Sequence, residues 1–327
     1  MKEIVIISGK GGTGKTSLTA AFATLAGNAV LADCDVDAAD LFLVMDPTIQ
    51  KRSEFRCGNE AVIRQADCIG CGACLARCRF DAVKRTSAAG VGSGQASCSD
   101  CVVCSRSCSG KIQDMIEQMG GNGQDYSPHT FIIESTSCEG CGVCVHFCPV
   151  KAIDFPERIA GEWFISRTSH GDMVHARLNP GGENSGKLVS KVKEEARRIA
   201  KDNGADILLV DGPPGVGCPV IAAVSGAALV LIVTEPTLSG IHDMMRVIEL
   251  ARHFSIPAAV CVNKWDLNPE MTERIERESA QAGAMITGRI RYDRVFTKAQ
   301  INGKSVIDEQ SGGASDDIRK IWSKMCN

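Results

Sequence analysis

One stretch near the start of the chain is the most informative about its fold: Ile4-Val5-Ile6-Ile7-Ser8-Gly9-Lys10-Gly11-Gly12-Thr13-Gly14-Lys15-Thr16. Its aliphatic start predicts a buried strand, its glycines a tight loop, and the residues from about 15 to 26 a helix. In that context, backbone N–H groups of the loop and of the helix N-terminus cradle phosphates. Lys15 is then placed to reach the β and γ phosphate oxygens, and the Thr16 hydroxyl to ligate Mg²⁺. The predicted nucleotide-binding residues of this loop are Gly9, Gly11, Gly12, Thr13, Gly14, Lys15, Thr16 and Ser17.

Predicted strands and helices alternate on both sides of a long cysteine-rich segment. That alternation predicts an α/β fold with a doubly wound, mostly parallel sheet. Two apolar segments, 163–165 and 173–178, predict a hairpin. A stripe at 318–325 predicts a terminal helix packed on the core, with a membrane-surface helix as the alternative. The predicted strands lie near 4–7, 29–32, 207–210, 229–233 and 258–262, and the predicted helices near 15–26, 187–202, 239–253 and 270–282.

A second part of the nucleotide site is predicted at 207–215. The apolar run 207–210 ends in Asp211, as in a Walker B strand whose aspartate holds Mg²⁺ through water. The next four residues, Gly212-Pro213-Pro214-Gly215, resemble a switch loop that a γ-phosphate can order. Pro213 and Gly215 are therefore predicted to contact the nucleotide.

Lys10 completes the deviant Walker A pattern K-G-G-x-G-K-S/T, and with it the chain resembles the superfamily of MinD, Mrp and the nitrogenase iron protein. More closely, it resembles MinD-type ATPases with an inserted ferredoxin domain. The resemblance implies an ATP-sandwich dimer, with itself or with a related ATPase subunit, in which Lys10 crosses to the partner's nucleotide. It also implies that Asp35 is the switch I aspartate. Asp33 and Asp37 are predicted either to lie near the phosphates or, equally, to be helix-capping or solvated groups. The predicted catalytic residues are Lys10, Lys15, Asp35 and Asp211, with Thr16, Asp35 and Asp211 at Mg²⁺.

The tetrad Asn263-Lys264-Trp265-Asp266 follows a predicted strand. N-K-x-D recognises guanine in small GTPases, which keeps GTP open as a substrate. The resemblance favours ATP, because MinD-like relatives use the corresponding asparagine for adenine. Asn263, Lys264 and Asp266 are therefore predicted to bind the nucleotide.

Two cysteine runs with the spacing C-x-x-C-x-x-C-x-x-x-C recur at a fixed offset of 70 residues, together with their glycines and flanking apolar residues. Such self-similarity indicates a duplicated unit. In bacterial-type ferredoxins, three cysteines of one run and the fourth of the other hold each 4Fe-4S cluster. Zinc is the alternative, but it favours two C-x-x-C pairs. The predicted ligands are Cys68, Cys71, Cys74 and Cys148 for the first cluster and Cys138, Cys141, Cys144 and Cys78 for the second.

A third run has the same spacing but lacks the glycines and the preceding apolar strand. It is predicted to hold a third cluster, with zinc, a labile regulatory site or no metal as alternatives. The gap from Cys78 to Cys98 also permits a rival pairing of the first and third runs. The third run comprises Cys98, Cys101, Cys104 and Cys108.

Composition limits the classes of protein that need consideration. With 327 residues and 44% hydrophobic content, the chain can bury a core, and its net charge of −3 does not suggest nucleic-acid binding. The start at Met1 shows no signal peptide, which together with 17 cysteines predicts a reducing cytoplasm. No transmembrane segment is predicted. The predicted domains are an ATPase domain at 1–56 and 158–327 and an inserted small α+β ferredoxin-like domain at 57–157, with the extra run at 98–108.

These observations predict a Mg-ATPase whose dimer changes drive electron transfer through 4Fe-4S clusters to an unidentified redox partner. In the first alternative, implied by Mrp-like relatives, the clusters are cargo for an iron–sulfur acceptor protein. In the second, the protein is a spatial-organisation ATPase like MinD.

Overall fold

The computed structural model describes residues 1–86, 130–180 and 185–326. The chain forms two compact units, one made of Met1–Phe55 with Ala160–Asn327 and the other of Arg56–Ile159. The predicted nucleotide loop lies in the first unit, and the predicted insertion at 57–157 falls within the second. The third cysteine run, with Cys98, Cys101, Cys104 and Cys108, lies outside the described residues.

Within the described residues there are thirteen strands and eleven α-helices. The strands are β1 (Lys2–Ser8), β2 (Ala29–Asp33), β3 (Thr48–Asn59), β4 (Val62–Ile63), β5 (Val83–Thr86), β6 (Thr130–Ile133), β7 (Ile153–Asp154), β8 (Glu157–Thr168), β9 (Gly171–Leu178), β10 (Ile207–Pro214), β11 (Leu229–Thr234), β12 (Ala258–Asn263) and β13 (Met285–Ile290). The helices are α1 (Lys15–Ala26), α2 (Leu41–Met45), α3 (Ala73–Arg77), α4 (Val143–His146), α5 (Ser185–Asp202), α6 (Cys218–Val224), α7 (Leu238–His253), α8 (Pro269–Gln281), α9 (Val295–Ile301), α10 (Val306–Glu309) and α11 (Ala314–Cys326).

One large sheet, as far as the described residues show, has the strand order β13-β12-β11-β1-β10-β2-β9-β8-β3. The strands from β13 to β9 pair in parallel, and β8 runs antiparallel to β9. β1 lies inside the sheet, where Ile4 pairs with Leu209 of β10 and Leu229 of β11. The predicted α/β fold with a large, mostly parallel sheet is confirmed. In such a sheet, the carboxyl ends of β1, β2 and β10 share the edge where ligands bind.

Two apolar layers cover the two faces of this sheet. Side chains alternate along β1, so that Val5 and Ile7 face one layer while Ile4 and Ile6 face the other. Helices α5, α6, α7 and α8 contribute to the first layer, and α1, α2, α9 and α11 to the second. Ile318, Ile321 and Met325 of α11 are buried in the second layer, as expected for a core-packed terminal helix. No helix in the described ranges is long and apolar enough to cross a membrane.

The predicted hairpin is present as β8 and β9, but it also extends the main sheet because β9 pairs in parallel with β2. β3 was not predicted at all. Its sequence, TIQKRSEFRCGN, has mostly exposed side chains and therefore lacks the apolar signal of a buried strand.

The second unit contains two small antiparallel sheets that pair its halves crosswise. β4, before the first cysteine run, pairs with β7, after the second, and β5 pairs with β6. Equivalent short helices, α3 and α4, lie within the two runs. The repeat predicted at an offset of 70 residues therefore has a counterpart in local structure. An apolar cluster that includes Ile63, Val83, Phe131 and Ile153 packs against cysteines of both runs.

Candidate functional site

The glycine loop connects the buried end of β1 to the first residue of α1. Gly14 has φ of 92°, and a Cβ there would lie 2.6 Å from Nδ2 of Asn263, so both backbone and space require glycine. Gly11 and Gly12 face open space instead. The buried Thr13 hydroxyl has no hydrogen-bond partner among the described residues. The loop therefore leaves room, and an unpaired polar group, for a bound anion.

Lys15, Thr16, Asp35 and Asp211 converge at the edge of the sheet where β1, β2 and β10 end, with Asp211 still within β10. Nζ of Lys15, which is 5% exposed, lies 3.6 Å from Oδ2 of Asp35. The Thr16 hydroxyl donates to Oδ2 of Asp211 at 2.7 Å, and the Thr19 hydroxyl donates to Oδ1 at 3.1 Å. The predicted lysine, hydroxyl and two carboxylates thus form one cluster, although they come from three separate parts of the sequence.

In this cluster, the single positive charge of Lys15 faces two buried carboxylates, Asp35 and Asp211. Burial raises the pKa of Asp211 to about 6, against the opposing effects of Lys15 and Thr16. Burial also raises the pKa of Asp35, although Lys15 opposes the shift. A divalent cation would relieve this cost, and hydroxyl and carboxylate oxygens are the ligands that Mg²⁺ prefers. Thr16, Asp35 and Asp211 therefore fit the magnesium ion that the sequence predicted.

Asp33 is fully buried, which excludes the solvated role predicted for it, whereas its bond to the first residue of α2 fits the helix-capping alternative. Its Oδ1 accepts from the N–H of Asp35 at 3.1 Å and its Oδ2 from the N–H of Leu41, the first residue of α2, at 3.2 Å. Burial and the charge of Asp211 raise the pKa of Asp33 well above its usual range. Asp33 therefore holds both ends of the loop that carries Asp35, while Asp37 is exposed.

Lys10 is held by its own chain in this structure. Its Nζ lies 3.6 Å from Oε2 of Glu235 and 3.5 Å from the Ser239 hydroxyl. Nζ of Lys264 contacts the other oxygen of Glu235 at 2.5 Å. Two lysines thus share one carboxylate, a contact that sequence reasoning missed because Glu235 belongs to no recognised motif.

Asn263, Lys264 and Asp266 support the phosphate loop and its neighbours. Nδ2 of Asn263 donates to the carbonyl of Thr13 at 2.8 Å, and Oδ1 of Asp266 accepts from the N–H of Tyr292 at 2.7 Å. These contacts hold the loop after β12 against the phosphate loop and the segment after β13. Their predicted contact with a base stays a prediction.

A pocket of about 870 Å³ opens beside the phosphate loop. Gly215 donates its N–H to the carbonyl of Ser8 at 2.9 Å, which holds the predicted switch loop against the end of β1. The end of α9 also borders the pocket, and Nε2 of Gln300 donates to the Ser17 hydroxyl at 3.2 Å. No motif signalled α9 as part of the site. The pocket is lined by Gly11, Gly12, Gly14, Lys15, Thr16, Ser17, Asp35, Asp37, Ala38, Asp40, Leu43, Val44, Pro213, Pro214, Pro219, Gln300, Ile301 and Gly303.

The eight cysteines of the outer runs are free thiols in the second unit. Burial, with the neighbouring thiols of Cys148 and Cys68, raises the pKa of Cys71. Cys148 of the second run thus lies near Cys71 of the first, and its sulfur accepts from the N–H of Ala152 at 3.2 Å. Across 1–86, 130–180 and 185–326, no three or more Cys, His, Asp or Glu side chains converge on one point where a metal ion would bind.

Comparisons with known proteins agree with this architecture. Residues 4–306 match the CobQ/CobB/MinD/ParA nucleotide binding domain. The chain is 31% identical to uncharacterized protein MJ0578 of Methanocaldococcus jannaschii, over 99% of this chain and 96% of the relative.

Solved structures of MinD show the same fold. MinD of Pyrococcus horikoshii with Mg-ADP superposes with a TM-score of 0.55 at 14% identity, covering 99% of this chain and 95% of that one. Cell division ATPase MinD of Pyrococcus furiosus gives a TM-score of 0.53 at 15% identity, covering 99% and 98%. The chain therefore belongs to the CobQ/CobB/MinD/ParA family of nucleotide-binding proteins, whose MinD and ParA members are P-loop ATPases.

Proposed function

We propose that this protein is a Mg-dependent ATPase that couples nucleotide-driven changes of a dimer to electron transfer through 4Fe-4S clusters in its second unit. The ATPase part is supported by Lys15, Thr16 and Asp35, which line one pocket, and by Asp211, which is hydrogen-bonded to Thr16 behind them. The duplicated cysteine unit carries the electron-transfer part.

In the proposed ATPase, Lys15 binds the β and γ phosphate oxygens, and Thr16 and Asp211 hold Mg²⁺. Because Lys15 lies 3.6 Å from Asp35, the phosphates compete with this carboxylate for the ammonium group. Nucleotide binding then frees Asp35 to orient the attacking water. The same loop that carries Asp35 is fixed at both ends by Asp33.

Lys10 acts in trans in the proposed dimer, which forms with a second copy or with a related ATPase subunit. Its ammonium group must leave Glu235 and Ser239 before it can reach a nucleotide on the partner. Closure on ATP therefore exchanges a contact within one chain for a contact between chains.

The outer cysteine runs are chemically suited to two 4Fe-4S clusters. Each cysteine of such a cluster binds a different iron, so the sulfurs surround a cube rather than converging on one ion. Gly72 and Gly142, both with φ of 72°, expose backbone N–H groups beside the cysteines. Clusters bound there would act as one-electron carriers. The ligand sets are Cys68, Cys71, Cys74 and Cys148, and Cys138, Cys141, Cys144 and Cys78, with the third run as a further candidate.

A role like that of MinD, in which the ATPase organises other components in space, is supported about equally by the fold. The first unit has the sheet and pocket of that family without needing the cysteines for nucleotide chemistry. The cysteine unit then serves as a structural or sensing element. A third reading treats the clusters as cargo for an iron–sulfur acceptor protein.

The ATPase proposal is tested with two variants. Lys15→Ala should abolish binding of a fluorescent ATP analogue, because it removes the ground-state phosphate contact. Asp35→Ala should keep binding but lose on the order of 10²-fold or more in phosphate release, because it removes the group that positions water. Equal loss of affinity in both variants would contradict this division of roles.

Anaerobic iron and sulfide analysis, followed by stopped-flow oxidation of the reduced protein, separates the three readings. Electron transfer predicts that ATP, but not ADP, changes the rate at which a viologen dye oxidises the protein, with Asp35→Ala as a variant that binds without turnover. Release of iron and sulfide to a chelator on ATP addition supports the cargo reading. A protein without iron supports the MinD-like reading.

A further inference from the structure

Thr19 is a residue of α1 that no motif of the nucleotide site includes. It is fully buried, and the lining of the pocket beside the phosphate loop includes Thr16 but not Thr19. Its hydroxyl nevertheless reaches the site, because it donates to Oδ1 of Asp211 at 3.1 Å. A buried hydroxyl costs free energy unless it is hydrogen-bonded, and valine would fill the same space without one. The hydroxyl of Thr19 is therefore the feature of this position that needs a function.

Thr16 and Thr19 hold the two oxygens of one carboxylate. They are three residues apart on α1, so their side chains lie on the same face of this helix, which packs against β10. Thr16 donates to Oδ2 of Asp211 at 2.7 Å, while Thr19 donates to Oδ1. A carboxylate bonded at one oxygen can still turn about its Cβ–Cγ bond, because that torsion is broad. Hydrogen bonds at both oxygens fix its orientation.

The Thr19 hydroxyl has a single proton and two acceptors within reach, Oδ1 of Asp211 and the carbonyl of Lys15 at 3.0 Å. In an α-helix, the Lys15 carbonyl also accepts the backbone N–H of the residue four positions later, which is Thr19 itself. Oδ1 of Asp211 has no other hydrogen-bond donor among the described residues. Because a carboxylate is also the stronger acceptor, the proton serves Asp211.

The proposed magnesium site places different demands on the two hydroxyls. Thr16 is a predicted ligand, so its oxygen must serve the cation as well as the bond to Asp211. Thr19 does not line the pocket, and its bond to Oδ1 involves no atom that the cation needs. The bond from Thr19 can therefore hold the Asp211 carboxylate in the same orientation before and after the cation binds.

We propose that Thr19 is a positioning residue for the magnesium ion: its hydroxyl holds Oδ1 of Asp211 so that Oδ2 stays directed at Thr16 and at the cation. The inference rests on the Mg-dependent nucleotide binding proposed above, and it adds a residue that touches neither the nucleotide nor the metal. Its effect lies in the affinity for the divalent cation and not in the affinity for the nucleotide alone.

The test compares Thr19→Val with the wild type in the full-length protein, with Mn²⁺ as the probe because Mn²⁺ takes the same oxygen ligands as Mg²⁺. Protein in excess over ADP is titrated with Mn²⁺, and electron paramagnetic resonance of the free ion gives the Kd. Thr19→Val should weaken Mn²⁺ binding about tenfold, because Asp211 loses one of its two donors. The affinity for a fluorescent ADP analogue in EDTA should change less than about twofold, because Lys15 and the loop N–H groups still bind the phosphates. Thr19→Ser, which keeps the hydroxyl, should restore Mn²⁺ affinity to within about threefold of the wild type.

Thr24→Val is the matched control on the same helix. Thr24 also donates to the carbonyl four residues earlier, that of Ala20 at 3.3 Å, and to a carboxylate, that of Asp308 at 3.2 Å, but it lies outside the site. This variant should leave Mn²⁺ affinity unchanged.

A second control removes the partner of Thr19. In an Asp211→Ala background, Thr19→Val should weaken Mn²⁺ binding by less than about a further twofold, because the carboxylate through which it acts is gone. If Thr19→Val does not fold, Thr19→Ala provides the same comparisons.

Three results would overturn the inference while leaving the proposed function intact. The first is wild-type Mn²⁺ affinity in Thr19→Val, and the second is an equal loss of Mn²⁺ affinity with and without the Asp211 carboxylate. The third is a loss of ADP affinity in EDTA, which would show that the hydroxyl acts through Lys15. A wild-type protein that binds neither the ADP analogue nor Mn²⁺ would instead contradict the proposed ATPase itself.

Discussion

At the scale of single residues, the nucleotide site depends on buried carboxylates whose supports are not part of any motif. Asp211 could be predicted because it ends a run of aliphatic residues, and Asp35 because the resemblance to the MinD superfamily implied it. The role of Asp33 could not be identified from the sequence, because an aspartate at a strand end can equally well be exposed to water. Only the fold shows that both its oxygens accept backbone N–H groups.

Asp33→Asn should therefore impair turnover more than binding. An asparagine can accept only one of the two N–H bonds and presents its own NH₂ to the other, which costs about 1–2 kcal/mol at a buried site. We expect about a tenfold loss in phosphate release with ATP affinity changed less than threefold. Asp37→Asn, at an exposed neighbouring carboxylate, is the matched control. Equal rates in the two variants would show that Asp33 does not position the loop.

His175 makes the stability of the first unit depend on pH. Its Nε2 lies 2.8 Å from the Ser166 hydroxyl, its ring stacks on Phe164 at 5.0 Å, and burial lowers its pKa from 6.5 to about 4. The unfolded chain takes up a proton as pH falls below 6.5, but the folded chain does not. Stability from this group is therefore complete above pH 6.5 and lost between pH 6.5 and 4, by roughly 2–3 kcal/mol.

Urea unfolding at pH 7.5 and 5.0, compared between wild type and His175→Gln, measures this effect. Glutamine keeps a polar partner for Ser166 but does not titrate, so its stability should fall less on acidification. The comparison is needed because the pKa of Asp211 is raised to about 6, so that this group makes the folded state more stable as the pH falls. His175 has the opposite effect. Identical pH dependence in both proteins would contradict the assignment to His175.

At the scale of elements, the strands that could be predicted are those whose sequences are continuous runs of apolar residues. β1, β2, β10, β11 and β12 were found because they are buried on both faces and therefore read as continuous aliphatic runs. β3 was missed because one exposed edge strand need not carry such a run. The crosswise pairing of β4 with β7 was implied only indirectly, by the repeat and its exchanged fourth cysteines.

The start of α7 restrains the signature lysine. Glu235 precedes this helix and contacts both Lys10 and Lys264. Glu235→Gln should free Lys10 and shift ATP-dependent dimerisation to protein concentrations about threefold to tenfold lower. Glu249→Gln, an exposed position on the same helix, should leave dimerisation unchanged. Lys10→Ala should give a monomer that binds ATP but hydrolyses it poorly.

Sedimentation with Mg-ATP measures both effects. If Lys10→Ala dimerises and turns over normally, the lysine does not act across an interface. If Glu235→Gln dimerises only at higher concentration than wild type, the carboxylate itself belongs to the interface, and the contact within one chain is not a restraint.

At the scale of the whole molecule, the division into a nucleotide unit and a cysteine unit was visible in the sequence because the motifs of the first are separated by the repeat of the second. What the sequence could not decide is the role of the third cysteine run. Its ligand spacing matches the outer runs, but it has no duplicated partner with which to exchange a fourth cysteine.

Iron content tests this third run. Reconstituted protein should hold about twelve irons per chain, falling to about eight when Cys98, Cys101, Cys104 and Cys108 are replaced by serine. The remaining spectrum should still be that of two 4Fe-4S centres if, as proposed, the outer runs exchange their fourth cysteines only with each other. Loss of most of the iron would mean that the third run belongs to the principal pair.

The register of β5 and β6 makes the segment between them removable. Thr86 pairs directly with Thr130, and its hydroxyl donates to the Thr130 carbonyl at 3.0 Å, so the two described residues that border 87–129 lie side by side. An Asn-Gly turn can join two antiparallel strands at such a point. Shortening the connection from 43 residues to two reduces the entropy lost on closing it, which should stabilise the unit by about 2–3 kcal/mol. Calorimetry of that deletion would show whether the protein carries its third cysteine run as a detachable module.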